Sequence, residues 1–140
     1  MKVLIDTCVV VDVLQSREPF REEAEKLFIH AANERFTGCV TAKSVTDIYY
    51  LTHRVTHSDR TARVILGKLF SLFDVVDTSG NDCRLALSSQ TADYEDAVMI
   101  ETARRIGADA IVTRNERDFI GSPVPVYSPE RLNSELESGE

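Results

Sequence analysis

Asp6 is the first residue of the chain that is placed for chemistry. It directly follows the strand-like run Lys2–Ile5, and ligands of parallel α/β sheets bind beyond the carboxyl ends of the strands. The residues from Thr7 to Val10 contain no glycine, which argues against a dinucleotide or P-loop phosphate site. Aspartate also caps helices well, so a cap and a functional group are equally good explanations of this position.

A second aspartate, Asp96, falls on the apolar face of a helix predicted for about Tyr94–Ile106. It shares one stripe of that helix with Met99, Ala103 and Ile106. Burying an unpaired carboxylate is costly, so a cation, a set of hydrogen-bond donors or a proton is expected beside it. A first-turn aspartate favoured by the helix dipole is the alternative, but the buried position favours a functional role.

Two further polar segments are less distinctive by themselves. Asp47 lies on a helix that begins after Thr41, nearly opposite its apolar stripe. This position indicates a solvated charge unless that face lines a cleft. The run 113–119 follows a strand-like segment and includes Asn115 and Asp118, which could equally serve a turn rich in Asx residues.

These residues need a scaffold, and the sequence predicts an α/β domain. Helical patterns separate the strand-like runs, and such spacing favours a parallel sheet with helices on both faces, a three-layer α/β/α arrangement. Ser58, Asp59 and Ser79 are candidate helix starts, and Gly107 is a candidate stop. The strand-like runs are Lys2–Ile5, Phe36–Val40, Phe73–Val76, Ala110–Thr113 and Val124–Tyr127.

Composition sets the broad class of the protein. With 140 residues, 43% of them hydrophobic, the chain is expected to form a single domain over 1–140, with a tail that frays from about residue 134. No apolar run reaches the roughly 20 residues of a membrane span, and Asp6 comes too early for a signal peptide.

Three cysteines without a disulfide-like spacing indicate reduced thiols and a cytoplasmic protein. The net charge of −7 argues against a broad phosphate-binding surface.

Taken in order, the acidic segments resemble the motifs of the PIN-domain family, and in particular its VapC-like toxin ribonucleases. The resemblance covers nearly the whole chain. The segments that carry it are Leu4-Ile5-Asp6-Thr7, Ser44-Val45-Thr46-Asp47, Asp93-Tyr94-Glu95-Asp96-Ala97 and Thr113-Arg114-Asn115-Glu116-Arg117-Asp118-Phe119.

This resemblance implies a Rossmann-like parallel sheet and a catalytic set of Asp6, Asp47, Asp96, Asp118 and Asn115, with Asp6, Asp96 and Asp47 as metal ligands. A hard cation such as Mg²⁺ or Mn²⁺ relieves the repulsion among such carboxylates. The chain departs from the family pattern at two positions: the second acid is more often Glu, and the fourth is the neutral Asn115. Asp118 follows three residues later.

The implied activity is that of a metal-dependent endoribonuclease that hydrolyses RNA phosphodiester bonds, as the toxin of a toxin–antitoxin pair. The resemblance also implies a cognate antitoxin protein and a homodimer, with no membrane partner. Candidate groups that orient ligands or contact the RNA backbone are Thr7, Thr113, Asn115, Lys43, Arg54, Arg114 and Arg117, although surface solvation explains the basic residues as well.

Two alternatives remain open from the sequence. A noncatalytic PIN-type module that binds RNA or protein would keep the fold, but such modules tend to lose their acids. An Asp-dependent phosphatase would also place an aspartate after the first strand, but it needs a second aspartate two residues later, where this chain has Cys8.

Overall fold

The computed structural model describes residues 1–90 and 93–139, and its centre is a five-stranded, fully parallel sheet of order β3-β2-β1-β4-β5. This confirms the predicted α/β class. The strands are β1 (Lys2–Ile5), β2 (Thr37–Thr41), β3 (Asp74–Val76), β4 (Ala110–Val112) and β5 (Val126–Tyr127). The helices are α1 (Thr7–Leu14), α2 (Arg21–Ala32), α3 (Ala42–Thr56), α4 (Asp59–Leu72), α5 (Gly80–Ala86), α6 (Tyr94–Ile106) and α7 (Pro129–Ser138), with a 3₁₀ turn at Glu116–Phe119.

The central strand β1 is apolar on both of its faces because helices cover both sides of the sheet. Val3 and Ile5 pack in a cluster with residues of α1, α2, α3, α4 and α7. Leu4 packs on the other side with Ile100 and Ala103 of α6. These two clusters form the layers above and below the sheet.

Local signals explain where several elements begin and end. The hydroxyl oxygens of Thr41, Ser58 and Ser79 accept hydrogen bonds at the starts of α3, α4 and α5, as N-caps do. Gly107 ends α6 with φ +68°, a left-handed conformation that glycine adopts without strain. The predictions for Ser58, Ser79 and Gly107 are therefore confirmed.

The boundaries of β1 are as predicted, and those of the other four strands differ from the predicted ones by one or two residues. Phe36, Phe73 and Val124 are buried beside the strands that they were assigned to, yet each lies outside the paired segment. Apolar character marks burial, whereas pairing depends on the neighbouring strand. At the C-terminus α7 continues to Ser138, so the region expected to fray from about residue 134 is helical, and Leu136 packs against the core.

Across residues 1–90 and 93–139, no helix is both long and apolar enough to cross a membrane.

Candidate active site

The carboxyl ends of β1, β2 and β4 meet at one edge of the sheet, where they bring three polar segments together. Asp6 follows β1, α3 begins directly after β2, and Thr113 follows β4. A cleft of about 520 Å³ opens at this edge. Its walls come from α3 on one side and from α5 and α6 on the other, and its lining includes Asp6, Thr7, Lys43, Ser44, Asp47, Tyr50, Leu51, Arg54, Cys83, Tyr94, Glu95, Asp96 and Met99.

Asp6 occupies the N-cap position of α1, but its side chain makes no capping hydrogen bond. Instead its Oδ2 accepts a hydrogen bond of 2.8 Å from the Thr113 hydroxyl, and the Cys8 thiol lies 3.5 Å away as a second donor. Burial raises the pKa of Asp6, and the hydrogen bonds from Thr113 and Cys8 oppose that rise. The capping alternative from the sequence therefore does not describe this side chain.

Asp96 lies in the first turn of α6 with no hydrogen-bond donor to its carboxylate among the described residues. The N-cap role belongs to Asp93, whose Oδ1 accepts from the Glu95 backbone N–H at 2.8 Å. Burial raises the pKa of Asp96 to about 7, and the negative charges of Asp6, Asp93 and Asp118 add to the rise. A carboxylate in this setting attracts a cation or a proton.

Asp47 lines the cleft, as the second of the two sequence interpretations allowed, but a lysine already engages it. Lys43 Nζ lies 2.6 Å from Asp47 Oδ2 and 3.3 Å from Glu95 Oε2. Because Glu95 belongs to α6, this ammonium group joins the two walls of the cleft. The sequence analysis named Lys43 only as a possible RNA contact and missed Glu95.

Asn115 and Asp118 are both exposed at the 3₁₀ turn that follows β4. The backbone N–H of Asn115 donates to Thr113 Oγ1 at 3.0 Å. The charge of Asp118 is one of those that raise the pKa of Asp96. Of the two candidates for the fourth position, Asp118 is therefore the one whose charge reaches the carboxylates of the site.

Arg114 does not face the cleft but holds the loop after β4 against α1. Its Nε and Nη2 donate to the two carboxylate oxygens of Asp12 at 2.7 Å and 3.1 Å. The Asp12 side chain is only 1% exposed, and the Phe20 ring centroid lies 4.0 Å from the guanidinium carbon of Arg114. This pairing engages the guanidinium group of Arg114, and its contact with RNA stays a prediction. Asp12 was not among the residues expected at the site.

A hydroxyl network fixes the start of α3 beside Asp6. The hydroxyl groups of Thr7 and Thr41 both donate to Ser44 Oγ, at 3.0 Å and 3.1 Å. Ser44 and Thr41 are buried. The network links the first turns of α1 and α3, and the sequence analysis identified only Thr7 as a candidate here.

The donor set fits a hard cation held partly through water. Within the described part of the chain, no three His, Cys, Asp or Glu side chains form a group ready to hold a metal ion. Mg²⁺ usually keeps several waters and needs only one or two carboxylates as direct ligands. Asp6 and Asp96 supply two half-buried carboxylates, both with a raised pKa. His53 and His57 belong to no metal group, and His53 stacks on Tyr49 at 5.8 Å between ring centroids.

Solved structures with similar folds come from toxin–antitoxin systems. VapBC2 of Rickettsia felis, bound to a DNA fragment of its promoter, matches with a TM-score of 0.67 and 15% identity over 91% of this chain and 98% of that one. A toxin–antitoxin complex of Klebsiella pneumoniae matches with a TM-score of 0.66 and 21% identity over 91% and 97% of the two chains. VapC20 of Mycobacterium tuberculosis, a toxin that cleaves the sarcin–ricin loop, matches with a TM-score of 0.61 and 14% identity over 78% and 86%.

At these identities the likeness concerns the fold, and no curated protein sequence matches the chain. The sequence model of the PIN domain matches residues 2–117. That match spans most of the chain and includes Asp6, Asp47, Asp96 and Asn115. The chain therefore belongs to the PIN-domain family.

Proposed function

We propose that this protein is a metal-dependent endoribonuclease that hydrolyses RNA phosphodiester bonds at the cleft. The observation that carries the proposal is Asp96, whose carboxylate has no donor among the described residues and a pKa of about 7, in the same cleft as the half-buried carboxylate of Asp6. Uncompensated carboxylates at the carboxyl edge of a parallel sheet are suited to bind a divalent cation. Membership of the PIN-domain family supports a nuclease rather than another metal-dependent hydrolase.

Asp6 and Asp96 are the proposed direct ligands of Mg²⁺ or Mn²⁺. Asp47 and Asp118 would act through water or through their charge, since Asp47 is engaged by Lys43 and Asp118 is exposed. When bound, the cation would neutralise the scissile phosphodiester and lower the pKa of the attacking water.

The chain's own groups orient these carboxylates and the RNA. The Thr113 hydroxyl holds the Asp6 carboxylate in one rotamer, and this bond also supports its charged form. Lys43 lines the cleft, and its ammonium group, which Asp47 and Glu95 share, can also pair with a phosphate oxygen. Asn115 is the remaining member of the proposed catalytic set and is exposed next to Thr113.

A toxin role and an antitoxin partner form part of the same proposal. Similar solved chains occur in toxin–antitoxin complexes, and the chain covers nearly their full length. We propose a cognate antitoxin protein that controls the nuclease, a homodimer of the nuclease, and action on RNA in the cytoplasm.

RNA cleavage by the wild type and two variants tests the central claim. In Mg²⁺ or Mn²⁺, Asp6→Asn and Asp96→Asn should reduce cleavage to near background, and EDTA should do the same to the wild type. Asp74→Asn, an exposed aspartate of β3 outside the cleft, is the matched control and should cleave normally. Equal cleavage by all four proteins, or activity that persists in EDTA, would contradict the metal–carboxylate mechanism.

One observation supports a second candidate, a noncatalytic RNA-binding module. Asp47 is paired with Lys43, and no three-ligand group is formed among the described residues. In that case the wild type would bind RNA without cleaving it in either metal ion, and the affinity would not depend on Asp96.

A further inference from the structure

One stripe of α3 runs from the acidic end of the cleft to the end of the helix. Its members are Lys43, Asp47, Tyr50, Arg54 and His57, at alternating intervals of four and three residues that place them on one face. The first four line the cleft. His57 is exposed at the C-cap of α3. We refer to these five residues as the α3 stripe.

Tyr50 is an aromatic group that the fold holds at the cleft but leaves uncovered. It is 67% exposed. Its ring contacts that of Tyr49, with centroids 5.4 Å apart and an interplanar angle of 78°, and Tyr49 in turn stacks on His53. Most of the Tyr50 side chain is therefore available to a ligand.

Arg54 is the cation of the α3 stripe that has no carboxylate partner among the described residues. Lys43, by contrast, is shared between Asp47 and Glu95. Seven residues separate Asp47 from Arg54, which places them about 10 Å apart along the helix axis. The α3 stripe therefore combines a guanidinium group that is free of a carboxylate in the described part of the chain with an exposed aromatic ring four positions before it.

We propose that the α3 stripe holds the single-stranded RNA next to the bond that is cut, with Tyr50 stacked on a flanking base and Arg54 on a flanking phosphate. Surfaces that bind single strands combine aromatic rings and cations in this way. A duplex cannot stack a flanking base on Tyr50 because its bases are already stacked. The inference rests on the proposed function, since it takes the same cleft as the entry of the RNA.

Binding measurements on an unstructured oligoribonucleotide test this site. Affinity is measured in Ca²⁺, a hard cation used here in place of Mg²⁺, at several salt concentrations, with the same strand annealed to its complement as a second ligand. The variants are Tyr50→Ala, Tyr50→Phe and Arg54→Gln. Lys68→Gln is the matched control, because Lys68 is exposed on α4 outside the cleft.

Tyr50→Ala should raise the Kd for the single strand about tenfold, the usual size of one stacking contact, and Tyr50→Phe should keep wild-type affinity. Arg54→Gln should reduce the slope of log K against log salt by about 0.7, the value of one phosphate contact on a single strand. Lys68→Gln should leave both the affinity and the slope unchanged. Affinity for the duplex should be the same in the wild type, Tyr50→Ala, Tyr50→Phe and Lys68→Gln.

If both Tyr50→Ala and Arg54→Gln keep the affinity and the salt slope of the wild type, the proposed RNA site is wrong, even if the protein cleaves RNA as proposed. Equal losses of affinity for single strand and duplex in Tyr50→Ala, or losses confined to the binding of a protein, would also overturn it. If the wild type binds the single strand through Tyr50 and Arg54 but never cleaves it, the nuclease proposal fails and the α3 stripe remains.

Discussion

Asp82, which side chains of α6 contact, and Asp96, which lies on α6, have opposite environments. Asp82, at the start of α5, is 1% exposed and accepts hydrogen bonds from Arg105 Nε at 3.0 Å and from Thr102 Oγ1 at 2.8 Å. Burial alone would raise the pKa of Asp82, but the hydrogen bonds from Arg105, Ser79 and Thr102 overcome burial and lower it to about 2. Asp96 receives no such donors, and its pKa is about 7.

The presence or absence of an arginine donor separates structural aspartates from those available for chemistry. Asp12 belongs with Asp82, since Arg114 neutralises it through two hydrogen bonds. Asp6 belongs with Asp96, since burial raises its pKa and only neutral groups donate to it. The fold thus gives Asp12 and Asp82 hydrogen bonds from an arginine, whereas among the described residues no arginine donates to Asp6 or Asp96, although the charge of Arg114 lowers the pKa of Asp6.

The largest expected effect is on stability. Replacing Asp82 and replacing Asp96 with asparagine should change the free energy of unfolding in opposite directions. Asp82→Asn breaks a buried ion pair and should lower the free energy of unfolding by about 3 kcal/mol. Asp96→Asn removes an uncompensated buried charge and should stabilise the metal-free protein at pH 8. Urea unfolding of both variants in EDTA measures the two changes.

Asp74→Asn, at an exposed strand position, is the control and should unfold like the wild type. A loss of stability in Asp96→Asn as large as that in Asp82→Asn would show that the cleft aspartate is also a structural group.

The sequence predicted the elements with strong periodic patterns and missed those that depend on tertiary contacts. Strand β1 has the predicted bounds because its residues are apolar on both faces of the sheet. Helix α6 has the predicted bounds because its apolar residues form one continuous stripe. The valine run 9–11 lies in helix α1 and is fully buried. Its β-branched residues have no local preference for a helix, so burial against the sheet decides its conformation.

At the candidate site, too, the sequence indicated the residues that belong to a periodic pattern and not those that depend on tertiary contacts. The helical stripe was enough to single out Asp96, whereas Asp47 needed the family resemblance. The bridge from Lys43 to Glu95 joins two helices, and Arg114 lies 102 positions from Asp12. Pairings across such distances leave no periodic signal in the sequence.

A smaller effect is expected from removing the threonine hydroxyl that donates to an aspartate of each kind. The Thr113 hydroxyl donates to Asp6, so Thr113→Val should raise the pKa of Asp6 further and weaken Mn²⁺ binding about tenfold, as is typical when a ligand loses its supporting hydrogen bond. Thr102→Val removes the corresponding bond to Asp82 and should reduce stability without changing Mn²⁺ affinity. Calorimetric titration with Mn²⁺ distinguishes them, and equal affinities in the two variants would contradict the division of roles.

The smallest effect is the dependence of stability on pH, where the two aspartates again act in opposite directions. Asp96 binds its proton more tightly in the folded state, so the metal-free protein should lose stability as pH rises from about 4 to about 7. The low pKa of Asp82 contributes stability above about pH 4, and this contribution is lost as pH falls toward 2.

Thermal unfolding in EDTA should therefore show a melting temperature a few degrees lower at pH 8 than at pH 5, and this difference should shrink in Asp96→Asn. Added Mg²⁺ should also reduce it, because the cation binds the ionised carboxylate and gains affinity as the pH rises. A pH difference that is identical in the wild type and Asp96→Asn would assign the titration to other groups, and the cleft would then lack the uncompensated charge that makes it a metal site.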